Sequence, residues 1–311
     1  MPAHALPRRL IERLRPPPDG QPGLMPRLRA YGGLRIAPAQ PDRGDVLGQL
    51  GSLEVRLAHK AAEVRRAQKL RYRVFYQEMS AIADAPTKLA RRDIDAYDAI
   101  CDHLLVVDHA VRRPPRFKPA VVGTYRLLRH DVAARHGGFY SAGEFDVASL
   151  AARHASLKFL ELGRSCVLAP YRNKRTVELL WHGIWSYVLA NGVDVMFGCA
   201  SLEGTDPDRL AVPLSFLHHF ARASEEWRTR ALPRRYVEMN RRPKATRDPK
   251  EALRMLPPLV RGYLRLGARI GDGAVIDRQF GTTDVLIVLP IAAIEARYIE
   301  HFGPNAQRHA A

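Results

Sequence analysis

The stretch from Lys158 to Trp185, KFLELGRSCVLAPYRNKRTVELLWHGIW, gathers more chemically capable residues than any other part of the chain. Glu161 and Arg164 fall on a predicted strand, a carboxylate able to take a proton and a guanidinium able to orient an anion. A Pro-Tyr turn follows, then a loop carrying Arg172, Lys174 and Arg175, then a helix that opens near Thr176. The first turn of a helix has unpaired N–H groups and the positive end of its dipole, so cations beside it suit a phosphate. A phosphorylated carrier is the expected ligand.

Four further polar positions are spaced along the chain ahead of this stretch. Arg71 and Phe75 are one helical turn apart and share a face. Asp95 and Asp98 follow in the loop sequence DAYD, and Arg126 sits inside the apolar strand GTYRLL, where an unpaired charge is costly. Each has a structural rival: Glu161 with Arg164 as an internal ion pair, the two aspartates as turn formers, Arg71 as a packed guanidinium.

The elements that must hold these residues read as alternating strands and helices. Leu53, Val55 and Leu57 alternate as a strand, and a helix is predicted over 59–79. Strands follow at 103–107 and 120–128, then a strand at 159–168 feeding a helix at 176–190, and a buried strand at 193–199. A helix at 209–223, a strand at 235–239, a helix at 250–266, a strand at 284–289 and a closing helix at 291–301 complete the pattern. That alternation predicts an α/β fold, a mixed sheet with helices on both faces.

Residues 1–48 are rich in Pro, Arg and Gly and read as a flexible basic arm, 49–303 as the folded domain and 304–311 as a disordered tail. Within the arm, Leu6, Leu10, Ile11 and Leu14 alternate with Arg8, Arg9, Arg13 and Arg15, a short amphipathic piece that would rest on an anionic membrane; a solvated tail is the competing reading. The chain is 46% hydrophobic, enough for a real core, and its formal charge of +17 calls for an anionic partner. Cys101, Cys166 and Cys199 are odd in number and embedded in apolar stretches, which predicts neither disulfides nor a zinc site and fits a reducing cytoplasm. The longest apolar run, 285–294, is interrupted by Pro290 and too short to span a bilayer, and no secretory signal is evident.

In order, these motifs are R-x-x-x-F, D-x-x-D, G-x-x-R and E-x-x-R, a series that resembles the autoinducer synthases making N-acyl-homoserine lactones. In that family they shape an amine-substrate site and the floor for an acyl-carrier-protein thioester. The Trp that family places six residues after the Phe is here Ala81. Longer stretches are similar to another group: RYRVFYQEMSA (71–81), ELGRSCVL (161–168), YRNKRTVELLW (171–181), MFGCASLEGTDP (196–207) and FGTTDVLIVLP (280–290). They resemble the L-ornithine N-alpha-acyltransferases of bacterial ornithine-lipid synthesis, in the hemolysin-like branch of the GNAT superfamily, from about residue 50 onward.

The resemblance implies a GNAT-like, mostly antiparallel central sheet and transfer of a 3-hydroxyacyl group from acyl carrier protein to the α-amine of L-ornithine, at the inner face of the cytoplasmic membrane. It implies no bound cofactor and no metal; the donor substrate is 3-hydroxyacyl-phosphopantetheine on its carrier. GNAT enzymes usually open their helix with R-G-x-G-x-G/A, whose glycines let amides wrap a pyrophosphate. Here the stretch 172–177 is RNKRTV, without a glycine, which favours a carrier protein over coenzyme A. In this scheme Glu161 is the base, Arg126 and Arg164 hold the substrate carboxylate, Asp95 and Asp98 take its side-chain ammonium, and backbone N–H groups near Cys166 and Val167 polarise the thioester carbonyl.

Two other readings compete. His103 and Asp108 match the H-x-x-x-x-D spacing of hydroxyl-acylating enzymes, but on a strand residues five apart point to opposite faces. The charge would also suit a nucleic-acid-binding module, yet no recognition motif accompanies it, so no nucleic-acid partner is expected.

Overall fold

The computed structural model describes residues 46–295 and Tyr298, apart from Ser80, 114–117 and 245–247; most of the basic arm and the C-terminal tail lie outside the described residues. Val46–Leu50 (β1) and Leu53–Leu57 (β2) form a hairpin, with Gly51 supplying a φ of 62° in the turn. Ala61–Tyr72 (α1) runs on as a wider π turn over Arg73–Glu78, together filling the predicted 59–79 helix. Ala85–Ala90 (α2) leads to Asp102–Arg113 (β3) and Lys118–Arg129 (β4). His130–Arg135 (α3) and Val147–Arg153 (α4) precede Phe159–Val167 (β5), Lys174–Asn191 (α5) and Val195–Glu203 (β6). Ala211–Phe220 (α6), Pro249–Met255 (α7), Pro258–Arg265 (α8), Arg269–Ile270 (β7), Val275–Asp277 (β8) and Thr282–Pro290 (β9) complete the described elements.

The strands form one sheet in the order β1-β2-β3-β4-β5-β6-β9-β7, with β8 also paired to β9. Every pairing is antiparallel except β5 with β6. Helices cover both faces because side chains alternate along each strand. Leu104 packs toward α5, where Gly183 lets the helix come close to Val55 and Leu104; Leu105 and Val107, pointing the other way, pack with Ala67 of α1. The fold is therefore the mixed α/β sheet with helices on both faces that the alternation predicts, and mostly antiparallel as the resemblance implies.

Two irregularities in β5 matter most. Its pairing with β6 covers only Phe159↔Val195, Leu160↔Met196 and Glu161↔Phe197; beyond that, β5 stays with β4 while β6 stays with β9, so the sheet forks. At the fork Gly198 lies so near β5 that a Cβ would stand 2.2 Å from the Leu162 carbonyl oxygen. Just past it, Arg126 pairs with Gly163 and Thr124 with Cys166, which leaves one extra residue on β5. This bulge holds Arg164 at a φ of 50°, a left-handed conformation that costs a residue with a Cβ roughly 1–2 kcal/mol.

Two predicted elements change, and a third lies mostly outside the described residues. The 250–266 helix is two, because Pro257 and Pro258 interrupt the backbone bonding between α7 and α8. The 235–239 strand is reduced to one bridge, Val237↔Ala274, since the Glu238 carboxylate accepts from Asn240 N and turns the chain. Of the closing helix, Ile291–Ala293 form a 3-10 turn and Tyr298 is helical, and residues 296–297 and 299–301 lie outside the described residues.

Candidate active site

Arg71, Arg126 and Arg164 converge on three aspartates from the loop before β3, and the six charges close a ring of alternating sign. Arg71 bridges Asp93 and Asp98, each at 2.7 Å. Arg126 bridges Asp98 at 3.4 Å and Asp95 at 2.5 Å. Arg164 returns from Asp95 to Asp93, at 3.1 Å each. Burial pushes the Asp98 carboxyl up, but Arg71 and Arg126 outweigh it and hold it down at about 2. Sequence reasoning passed over Asp93, although DID AYD places three acids within six residues, 93–98.

The ring changes what its members can do. Arg71 is wholly buried and Asp98 nearly so, and both stand at the inner corners of the ring. Asp98 also accepts from Gln68 at 3.0 Å, and Asp95 caps the turn at Tyr97 N, so neither is a spare carboxylate waiting for an ammonium. Arg164 keeps the most exposure of the three arginines, its guanidinium 4.8 Å from the Tyr140 ring and 4.9 Å from the Phe280 ring. Phe75 meets Phe280 edge-on at 5.6 Å and so backs that wall without lining it first-hand.

Glu161 is 4% exposed, and its oxygens accept from Tyr140 N at 2.7 Å, Ser141 N at 2.8 Å and Ser141 Oγ at 2.5 Å. Burial raises its pKa and these three donors oppose the rise. The carboxylate thereby fixes the 140–143 turn and sets Tyr140 over both Arg164 and Arg126, the latter at 5.2 Å. It shares this face with Arg164 only because of the bulge, since residues three apart on a regular strand point to opposite sides.

A cleft of about 40 Å³ occupies the fork, lined by Leu162–Ser165 of β5, Met196–Cys199 of β6, Tyr125, Leu259, Tyr263, Ile287 and Leu289. Neither Cys166 nor Val167 lines it; they pair with Thr124 and Gly123 beyond the bulge. Burial pushes the Cys166 thiol up to about 12 and the Cys199 thiol well above its ordinary value, which leaves both inert as nucleophiles.

Cys199 connects the cleft to a group that no motif singles out. Its thiol is 3.5 Å from Glu144, and carboxylate oxygens of Glu144, Asp277 and Asp284 lie within 4.8 Å of one another. Burial first, then mutual repulsion, raises Glu144 and Asp284, with Arg235 at 3.0 Å from Glu144 as a partial counterion. The donors are hard oxygens that suit a cation. Glu144 lies far in sequence from Asp277 and Asp284, so only the fold unites the three.

At the start of α5, Arg172, Lys174 and Arg175 are exposed, with Arg172 paired to Glu78 at 2.6 Å and Lys174 to Glu178 at 3.5 Å. Thr176 departs from the expectation of a ligand contact: it is buried, and its amide and hydroxyl both turn to Asn173, the helix cap. His103 and Asp108 share no site, His103 bonding the Asp98 carbonyl and Asp108 the Tyr171 hydroxyl.

Comparison with known proteins agrees with this architecture. The Acetyltransferase (GNAT) domain family matches residues 70–182. The L-ornithine N(alpha)-acyltransferase of Rhizobium meliloti (strain 1021) is 52% identical over 286 residues, 92% of this chain and 95% of that protein. The protein of the same name from Brucella abortus (strain 2308) is 54% identical over 263 residues, 85% and 93% of the two chains. Among solved structures, FeeM, an N-acyl amino acid synthase from uncultured soil microbes, superposes with a TM-score of 0.42 at 10% identity, over 77% of this chain and 91% of its own. The forked sheet is thus that of a GNAT acyltransferase, and the chain belongs to the L-ornithine N(alpha)-acyltransferase family.

Proposed function

We propose that the protein transfers a 3-hydroxyacyl group from acyl carrier protein to the α-amine of ornithine, producing a lyso-ornithine lipid. The observation that carries this reading is the fork between β5 and β6, which joins a charged face around Arg164 to a cleft with apolar walls. The relatives' name supports ornithine as the acceptor. A carrier protein, itself acidic, suits the exposed, glycine-free basic loop at 172–175 and the net charge of +17. Among the described residues no helix is long and apolar enough to cross a membrane. The amphiphilic product places the work at the inner face of the cytoplasmic membrane, with the basic arm against anionic headgroups.

In this reading the acceptor carboxylate docks at Arg164 and its side-chain ammonium at Asp277 and Asp284. Glu144, in contact with cleft-lining Cys199, takes the proton from the α-ammonium directly or through water. The freed nitrogen attacks the thioester carbon, and N–H groups of the Gly163–Ser165 bulge hold the oxyanion, in place of Cys166 and Val167, which lie off the cleft. The oxyanion then re-forms the carbonyl as the C–S bond breaks, and the second proton of the attacking nitrogen passes to the pantetheine sulfur, which leaves as the free thiol. Glu161 acts through Tyr140, as a positioning residue.

An acceptor screen tests the reaction. With 3-hydroxyacyl carrier protein, thiol release should depend on ornithine and yield the acyl-ornithine mass, with lysine, glutamine and glycine slower; release indifferent to ornithine, or equal rates from acyl-coenzyme A, overturns it. Two conservative variants test the base. Glu144→Gln should lower kcat/KM roughly a hundredfold or more, whereas Glu161→Gln, which still offers an oxygen to the 140–141 turn, should keep at least about a tenth of the activity. The reverse ranking returns the base to Glu161.

A further inference from the structure

On the side of the sheet away from the Arg/Asp ring, the cleft wall is apolar through Leu162, Met196, Leu259, Ile287 and Leu289, with three hydroxyls set into it: Tyr125, Ser165 and Tyr263. Tyr125 and Arg126 are adjacent on β4 and point to opposite faces, so this group lies opposite the charges that meet the acceptor. Both tyrosines are buried, and Tyr125 is hydrogen-bonded to Ser165 and to Tyr263. Leu259 and Tyr263 are four apart on α8, which brings both to the cleft, and Trp181 holds the Tyr263 ring edge-on at 5.1 Å.

None of the roles assigned above uses these hydroxyls. Phenylalanine would fill the same volume without the cost of burying oxygen, so packing does not explain them. Three hydroxyls carry three protons, and the two hydrogen bonds among them engage two, which leaves one O–H to donate outside the group. Position narrows what receives it. Ser165 is the residue next to the bulged Arg164, where the thioester carbonyl is placed, and a cleft of about 40 Å³ holds a few atoms. A polar branch two bonds along the acyl chain from the reacting carbonyl falls within that space.

We infer that Tyr125, Ser165 and Tyr263 form a subsite that reads a hydroxyl on the third carbon of the acyl donor, making these residues the determinants of hydroxyacyl selectivity. The inference rests on the acyl-transfer reading and goes one step beyond it, from the reaction to the residues that choose its donor. A plain acyl chain leaves the spare O–H of the trio facing methylene groups, and a site built around a substrate hydroxyl rejects the analogue that lacks it.

The test uses the full chain, carrier-protein donors of equal length with and without the 3-hydroxyl, and saturating ornithine. The readout is the ratio of the two kcat/KM values. Wild type should prefer the hydroxylated donor at least tenfold, and Tyr125→Phe, Tyr263→Phe and Ser165→Ala should each bring the ratio down by about tenfold or to near unity. Tyr→Phe retains the packed ring, and Ser165→Ala alters a half-buried side chain, so unfolding of one variant leaves the others to decide. A ratio unchanged in the folded variants overturns the inference. So does a wild type that uses both donors equally, a result that leaves acyl transfer standing. A wild type that releases no thiol in response to ornithine from either donor removes the functional reading, and this inference with it.

Discussion

Replacing Arg71 with methionine should destabilise the protein severely while touching no ligand. The guanidinium is wholly buried and is the joint counterion of Asp93 and Asp98. Methionine fills similar volume but leaves two buried carboxylates short of a partner, a loss of roughly 3–5 kcal/mol, which is a large part of a typical total of about 5–15 kcal/mol. For a domain of this size that corresponds to a fall in Tm of roughly 6–20 °C. Pairing the change with Asp98→Asn should recover part of the loss, because one of the two stranded charges is then gone. The pH dependence has a definite sign. Asp98 is held down at about 2, so its share of stability is complete above the ordinary carboxylate range and is lost as pH falls through about 2. The stability gap between Arg71→Met and wild type should therefore be widest at neutral pH and narrow as pH falls toward about 2. Thermal melts that coincide within two or three degrees at neutral pH would falsify the view of the ring as an interdependent unit.

The ring also shows how much of the site could be read in the sequence. RYRVFYQEMSA, the DAYD loop, Arg126 in its apolar strand and E-x-x-R each marked charged site candidates, and the fold brings Arg71, Asp95, Asp98, Arg126 and Arg164 together. The sequence could not show that these charges satisfy one another. Assigning them to a substrate presumes spare valence, and with Asp93 included three arginines meet three aspartates, leaving no net charge. What a ligand can use is set by exposure, which puts Arg164 and Asp95 on the open side of the ring.

The strands were legible because periodicity survives in one dimension: β2 falls where Leu53, Val55 and Leu57 alternate, and β5 and β9 lie within a residue or two of the pattern. The bulge was not, because an arginine at positive φ contradicts its own local preference and is held there by Asp93 and Asp95. Glu161 reads in the sequence as a carboxylate on a strand, and nothing local announces that its oxygens accept from the turn 21 residues upstream at Tyr140. Glu144, Asp277 and Asp284 carried no signal, since nothing local distinguishes them from surface acids.

The fork gives the last prediction. Gly198→Ala places a methyl 2.2 Å from the Leu162 carbonyl oxygen, well inside van der Waals contact, and the atom it meets is backbone that cannot rotate aside. β6 must move away from β5 at the point where the two strands part, so the geometry of the cleft changes together with local stability. Misplacement of reacting groups by about 1 Å can cost on the order of a hundredfold in rate, and overpacking adds a stability loss of roughly 1–3 kcal/mol. Both should appear, the first in kcat/KM and the second as a lower Tm. Gly163→Ala separates the two causes, because a Cβ on that residue meets nothing within 4 Å and its φ is ordinary. It should keep its melting temperature, and any loss of activity in it reports a methyl projecting from the cleft wall and not a strained sheet. If Gly198→Ala melted with wild type and turned over at the wild-type rate, the close approach of Gly198 to Leu162 could not be what sets the width of the fork, and the proposed path for the thioester between β5 and β6 would lose its structural basis.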